Sequence, residues 1–381
     1  SVLNQTYTDF ELIILDDAST DSSWQIINTF DDPRIKAFRN EKNKRGDFSA
    51  FVNFGTIGEY VAIHHSDDRW EATKLEKQVQ FMDNNPEFGA VFTHVQVIDE
   101  DGQVFTDENN FYYKVFDQPN RTRYEWLNFF FYNLNALCNP SSLMRSKCIK
   151  DIVDRKGLLQ LPDFDKWVQF CFHYEIHILQ EKLTYFRVRK NELNISGDRP
   201  DTRIRRHFEL LKVLDHYRNI KTVDELLKIF PMADRYLSNN HVDVKYVLAR
   251  ISIGQSEPAY LLFGQNLLFE ALNKPERANQ LRKYQLFSEK DFFKLTGEND
   301  IFNVENLQQK TRELHQKSQE LKKESEHNQA LQDKIFSKDQ EITKLEQQLV
   351  NLNQKIQDLE ARQTKRQQII NEQHLKLLNR V

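Results

Sequence analysis

Residues 11–17 read ELIILDD, and residues 60–68 read YVAIHHSDD. Each stretch is a short, nearly continuous apolar run that ends in aspartates. Such runs are typical of strands that are buried on both faces in a parallel sheet. A helical pattern follows each run, from Asp21 to about Phe30 after the first and over 74–84 after the second. This order of strand, acids and helix predicts an open α/β sheet, in which ligands bind beyond the carboxyl ends of the strands.

The aspartates at these two strand ends suggest a metal site. If the two strands are parallel neighbours, their carboxylates repel each other at short range, and a divalent cation relieves that repulsion. Mg²⁺ and Mn²⁺ prefer carboxylate oxygens and commonly keep substrate phosphates among their ligands. We therefore expect Asp67, with Asp68 beside it, to hold a cation that grips a diphosphate, and Asp16 and Asp17 to contact the base or ribose of the same nucleotide. The alternative for each pair alone is a helix cap or a solvated loop.

A third acidic stretch, PDFDKW at 162–167, has the features of a helix start. Proline in the first turn of a helix costs no hydrogen bond. Asp163 and Asp165 lie in this predicted first turn, and Phe164, Trp167 and later apolar residues recur at helical spacing.

Beyond about residue 199 the chain changes character. An amphipathic, helical pattern extends to about residue 295 and carries no chemical motif. The final 84 residues contain neither glycine nor proline. Positions seven residues apart from Leu307 to Leu377 are apolar in nine of eleven cases, and a second seam contains Leu331, Leu345, Leu352 and Leu359. This heptad predicts a coiled coil over 301–381, with isoleucine and leucine placed as in a parallel dimer. A long single helix folded back on the protein is the alternative.

Composition excludes several classes of protein. A hydrophobic content of 39% with 28 phenylalanines excludes general disorder. No apolar stretch approaches the length of a transmembrane helix, and no signal peptide is visible. A net charge of −4 gives no support for nucleic-acid binding, and three cysteines without metal spacing indicate reduced thiols in a cytosolic protein.

The motifs together resemble family 2 glycosyltransferases with the GT-A fold. The segment from Ser1 to Asp21 is similar to the early part of these enzymes, 58–79 to their metal-binding strand and helix, and 162–167 to the later acidic motif. The resemblance covers about residues 1–195. It implies a GT-A, Rossmann-like domain with a mostly parallel sheet and helices on both faces, followed by an all-α region and a long coiled-coil helix. The corresponding domains are 1–195, 196–300 and 301–381.

The resemblance also implies roles for single residues. Asp16, Asp17, Arg45, Asp67 and Asp68 would bind a nucleotide-sugar donor. Asp67 would coordinate Mg²⁺ or Mn²⁺, and Asp163 would be the general base of an inverting transfer to a hydroxyl acceptor.

Departures from the family pattern carry information as well. His65 stands where the family usually has aspartate, and it is either a metal ligand or a histidine without a metal role. Pro162 replaces the acid that usually precedes the base, and Arg189 replaces a histidine. The strand and helix that precede Leu3 in the family are missing, so we expect weak donor binding by the chain as given.

The sequence is compatible with two functions. The first is a metal-dependent transferase that moves a sugar to a glycan or lipid-linked acceptor in bacterial surface polysaccharide synthesis. Such an enzyme would be cytoplasmic, with or without peripheral attachment to the inner membrane face, and would self-associate or bind a partner protein through 301–381. The second is a catalytically impaired remnant that acts as a coiled-coil scaffold.

Overall fold

The computed structural model describes residues 1–44, 58–189, 197, 199–236 and 242–378. Seven strands are present in these ranges: β1 (Leu12–Asp16), β2 (Ile35–Arg39), β3 (Tyr60–Ala62), β4 (Arg69–Trp70), β5 (Phe88–Ile98), β6 (Leu143–Arg145) and β7 (Glu175–Arg187). The helices of the first half are α1 (Ser23–Ile27), α2 (Lys74–Asn84), α3 (Tyr112–Val115), α4 (Arg123–Asn133), α5 (Ser146–Ile149) and α6 (Pro162–His173). The second half contains α7 (Pro200–Leu214), α8 (Val223–Ile229), α9 (Val244–Ile253), α10 (Pro258–Leu272), α11 (Pro275–Tyr284), α12 (Glu289–Glu298) and α13 (Val304–Leu378).

The strands form two sheets, and their directions are more mixed than expected. The strands β1 and β2 pair in parallel, whereas the second sheet has the order β3-β6-β5-β7-β4. In that sheet β5 and β7 are parallel, and the other three pairs are antiparallel. The mixed α/β, GT-A-like class is confirmed, but the described pairings are not mostly parallel. Among the described residues β1 pairs with β2 and β3 pairs with β6, so the strands that end at Asp16 and before His65 are not the paired neighbours that the metal-site prediction assumed.

Helices cover both faces of the larger sheet. Along β5, Val91 packs in a cluster with Leu75 and Met82 of α2 on one face. Its neighbours Ala90 and Phe92 belong to the larger cluster on the other face, which includes residues of α4 and α6. Successive side chains of a strand point to opposite faces, so this alternation follows directly from the pleat.

One hydrophobic cluster extends across the predicted boundary at residue 195. It contains Trp126 and Trp167 from the front of the chain and Tyr217 and Phe263 from the helical region. The Tyr217 hydroxyl donates to the carbonyl of Leu127 at 2.7 Å. Residues 1–302 accordingly form one compact unit, and 303–381 form a second. The three domain ranges drawn from the sequence remain a prediction.

The second unit consists mainly of α13, a helix of 75 residues. Leucines and isoleucines of both predicted seams are exposed, for example Leu314 at 67% and Leu352 at 57%. No described helix combines the length and apolar content needed to cross a bilayer.

Candidate active site

The turn after β3 gathers three possible metal ligands. Ligand atoms of His65, Asp67 and Asp68 all lie within 4.8 Å of one another. Asp68 is buried, and its Oδ1 accepts the backbone N–H of Arg187 at 2.9 Å. Its other oxygen, Oδ2, has no hydrogen-bond partner among the described residues and lies 3.7 Å from Nδ1 of His65.

The electrostatics of this cluster suit a cation. Burial, with a smaller contribution from the charge of Asp67, raises the pKa of Asp68 to about 7, although the hydrogen bond from the Arg187 backbone N–H acts in the opposite direction. Burial lowers the pKa of His65, which favours the neutral imidazole whose lone pair can bind a metal. An unpartnered buried carboxylate oxygen, a neutral imidazole and a second carboxylate form a donor set that fits a divalent cation.

One cationic side chain already lies beside this cluster. Nε of Arg189 is 3.8 Å from Oδ2 of Asp67. Family 2 enzymes often have a histidine at the position of Arg189. In this structure the Arg189 charge lies beside Asp67 of the cluster. Asp67 is therefore shared between Arg189 and any cation bound by the three ligands.

Asp163 lies in the first turn of α6, as predicted. Its Oδ2 accepts a hydrogen bond from the Asn135 amide at 3.1 Å, and its Oδ1 accepts the backbone N–H of Phe164 at 2.8 Å. Burial raises the pKa of Asp163, while Lys166 and His65 oppose that increase. Asp163 in turn opposes the lowering of the His65 pKa. The candidate base and the candidate metal cluster therefore share one electrostatic environment, although they lie on separate elements.

The sequence reasoning missed Lys166 and Asn135. Nζ of Lys166 donates to Oδ1 of Asn139 at 2.6 Å and lies 4.1 Å from the centroid of the Trp167 ring. Burial lowers the pKa of Lys166 to about 8. Lys166 could have been found from its spacing, because residues three apart on a helix are neighbours. Asn135 follows α4, and no sequence signal connects it to Asp163.

Asp16 and Asp17 already have partners within the protein. Oδ2 of Asp16 lies 2.9 Å from Nε of Arg39, and Asp16 itself is 4% exposed. Oδ1 of Asp17 accepts from the Asn40 amide at 2.8 Å and from the backbone N–H of Lys44 at 2.9 Å. Their role in donor binding stays a prediction. Arg45, the remaining donor-binding candidate, lies outside the described residues.

Comparison with known proteins identifies the front of the chain. Residues 1–152 match the sequence model described as glycosyl transferase family 2. This part of the chain belongs to that family. The match to the family model includes β1, the cluster of His65, Asp67 and Asp68, and Asn135, and it ends before Asp163.

Curated relatives agree with the family. An uncharacterized glycosyltransferase of Methanocaldococcus jannaschii, MJ1057, is 29% identical over 194 residues, which are 49% of this chain and 63% of that protein. The Escherichia coli protein WfaP, named as a UDP-Glc:alpha-D-GlcNAc-diphosphoundecaprenol beta-1,3-glucosyltransferase, is 40% identical over 90 residues, 23% of this chain and 36% of the relative. The matches thus span less than two thirds of either relative.

A solved structure supports the fold over a longer range. S. aureus TarS, residues 1–349 in complex with UDP-GlcNAc, aligns with a TM-score of 0.50 and 17% identity. The alignment covers 82% of this chain and 86% of that one. At this identity the likeness concerns the fold alone.

Proposed function

We propose that the chain is an inverting, metal-dependent glycosyltransferase that moves a sugar from a nucleotide-sugar donor to a hydroxyl of a glycan or lipid-linked acceptor. The observation that carries the proposal is the cluster of His65, Asp67 and Asp68, whose ligand atoms lie within 4.8 Å of one another. The charge of Asp163 acts on the pKa of His65, which supports a candidate base in the same environment. An inverting displacement at a sugar carbon needs a base for the attacking hydroxyl and a group that stabilises the departing diphosphate. Because the chain retains both a candidate base and a candidate metal cluster, a non-catalytic scaffold is the less favoured function.

His65, Asp67 and Asp68 are the residues that would hold Mg²⁺ or Mn²⁺. When bound, the cation would neutralise the developing charge on the departing nucleoside diphosphate. The buried, unpartnered Oδ2 of Asp68 supports this assignment, since a buried carboxylate oxygen is costly to leave without a partner.

Asp163 would remove the proton from the attacking acceptor hydroxyl. A general base must be ionised, and the Asn135 amide and the Lys166 charge both favour the ionised carboxylate, against the effect of burial. Attack on the anomeric carbon from the face opposite the leaving group inverts its configuration. Asp16, Asp17 and Arg45 are proposed to contact the nucleoside of the donor.

The relatives suggest which donors to test first. WfaP is named for UDP-Glc, and the TarS structure contains UDP-GlcNAc. We propose a UDP-sugar as donor and a role in polysaccharide biosynthesis. A cytoplasmic location, with or without peripheral attachment to the membrane, is supported by three free and buried cysteines, Cys138, Cys148 and Cys171.

The test is release of nucleoside diphosphate from a panel of UDP- and GDP-sugars with Mn²⁺, by the wild type and Asp163→Asn. We expect turnover with one donor and a decrease of at least about 100-fold in kcat for the variant. Glu87→Gln changes an exposed acid elsewhere in the first unit and serves as control. Equal turnover by Asp163→Asn would reject the assigned base.

For α13 we propose a parallel, in-register coiled coil with a second copy of this chain. Its exposed Ile342, Leu345, Leu349 and Leu352 would pair with the same residues of that copy. In this register two pairs at the flanking positions are attractive, Lys334 with Asp339 and Lys355 with Glu360, whereas Glu341 would face Glu346.

Engineered cysteines test the orientation. The native cysteines are buried in the first unit and should cross-link little. Leu352→Cys, in the predicted core, should form a disulfide-linked dimer on oxidation, whereas Gln354→Cys, on the predicted outer face, should not. Sedimentation should show a dimer that is lost when the chain ends at Phe302. A monomeric mass for the full chain would reject self-association through α13.

A further inference from the structure

The helical region contacts the backbone immediately before the candidate base. Glu209, on α7, is 0% exposed. Its Oε1 accepts the N–H of Leu159 at 2.9 Å, and its Oε2 accepts the N–H groups of Gln160 and Leu161, each at 2.8 Å. Leu161 is the residue before α6, so these bonds end two residues before Asp163.

The three successive N–H groups that donate to the Glu209 carboxylate hold the backbone of 159–161 firmly. Hydrogen bonds to an ionised acceptor are roughly twice as strong as neutral ones, and the N-terminus of a helix favours negative charge. Among the described residues Glu209 has no ion-pair partner, so these peptide groups compensate its burial. The segment 159–161 is thereby fixed to α7.

A second contact holds the other side of the same turn. Asp165 is 2% exposed, and its Oδ1 lies 2.7 Å from Nε2 of His216, which follows α7. Arg155 and Gln169 donate to the same carboxylate. Asp163 therefore lies between two points, 161 and 165, that are both bonded to the segment 200–219.

We propose that Glu209 is a positioning residue for Asp163, which makes α7 a part of the catalytic unit. This inference rests on the proposed function of Asp163 as base. By fixing the backbone of 159–161, Glu209 sets the direction in which the Asp163 carboxylate points. Without such hydrogen bonds the backbone before Asp163 would be free to shift. A displacement of about 1 Å at a reacting group can lower the rate about 100-fold.

The consequence is a role for the region that carries no chemical motif. The segment 200–219 would act by holding the turn that carries Asp163. The long-range bonds from Glu209 and His216 span about 50 residues of sequence.

The first measurement concerns the backbone alone. In Glu209→Gln one acceptor oxygen becomes an NH₂ group, which cannot accept the backbone N–H groups of 159–161. Amide hydrogen exchange of residues 159–165 should therefore accelerate at least about tenfold. Glu276→Gln, an exposed glutamate of the same region, is the matched control and should leave that segment unchanged.

The second measurement concerns catalysis. Glu209→Gln should lower kcat roughly 10- to 100-fold and leave the KM for the donor within about twofold, because Asp163 is displaced while the metal cluster is not. In an Asp163→Asn background the same change should cost less than about twofold, since the group through which it acts is already absent.

These measurements separate the outcomes. An equal loss of kcat in both backgrounds, unchanged exchange, or faster exchange with unchanged kcat would each overturn the positioning role. A wild type without turnover would instead refute the proposed function. If Glu209→Gln loses its cooperative unfolding transition, His216→Gln provides the same comparison from the other side of the turn.

Discussion

The side-chain amide of Asn135 donates a hydrogen bond to Oδ2 of Asp163 at 3.1 Å. The bond joins the end of α4 to the first turn of α6, and it stabilises the ionised form of a carboxyl whose pKa burial raises. Asn135 therefore acts directly on the candidate base through this hydrogen bond.

Asn135→Ala should therefore raise the pKa of Asp163 further. The acid limb of the kcat profile should move to higher pH, so that activity falls about tenfold at pH 6 and less at pH 8. Asn133→Ala, an exposed asparagine on α4, is the control. Loss of activity that is equal at both pH values would contradict a role through the ionisation of Asp163.

Removal of the divalent cation should abolish turnover, and added Mn²⁺ should restore it. In calorimetry with UDP present, Asp68→Asn should weaken Mn²⁺ binding by roughly 10- to 100-fold, because it removes a buried carboxylate from the cluster. Asp9→Asn, which changes an exposed aspartate, should bind as the wild type does. Turnover that persists in EDTA would show that another charge, such as that of Arg189, stabilises the leaving group.

Lys74 should make stability depend on pH. It is 0% exposed, its Nζ lies 4.0 Å from the centroid of the Trp70 ring, and burial lowers its pKa to about 7 from 10.5. Between these values the unfolded chain binds the proton and the folded one does not, so the free energy of unfolding rises with pH through the window from about 7 to 10.5.

Lys74→Met should remove this contribution. Between pH 7.5 and 9.5, the wild type should gain about 2 kcal/mol in free energy of unfolding relative to the variant. Urea denaturation at the two pH values measures the difference. Lys77→Met, with a side chain that is 38% exposed, is the control on the same helix. Parallel pH profiles for wild type and Lys74→Met would contradict the prediction.

Two glycines should respond oppositely to alanine. A Cβ at Gly89 would lie 2.8 Å from Cβ of Tyr174 and 2.9 Å from the Phe170 ring, so Gly89→Ala should destabilise the protein by about 1–3 kcal/mol. A Cβ at Gly297, on α12, meets nothing within 4 Å, and Gly297→Ala should stabilise the helix by about 0.5–1 kcal/mol. Thermal unfolding followed by circular dichroism measures both, and changes of the same sign would contradict this packing.

The sequence by itself determined those helices whose ends are marked by local signals such as capping residues and proline. The predicted helix over 74–84 is observed at those bounds, and α6 begins at Pro162. Of the candidate site residues, Asp67 is proposed from its place after a strand, whereas the roles of His65 and Asp163 come from the family resemblance. All three roles stay predictions. Their motifs also placed residues 1–152 in the correct family.

Only the tertiary structure decided which strands pair and which side chains contact the candidate site. Strand direction and order depend on pairings between distant segments, so the sequence could not exclude a neighbouring, parallel arrangement of β1 and β3. Asn135 and Glu209 reach the segment of Asp163 from 28 and about 50 positions away. The effect of Asn135 and Glu209 on Asp163 depends on their burial and on the groups to which they hydrogen-bond. Local sequence periodicity determines neither of these.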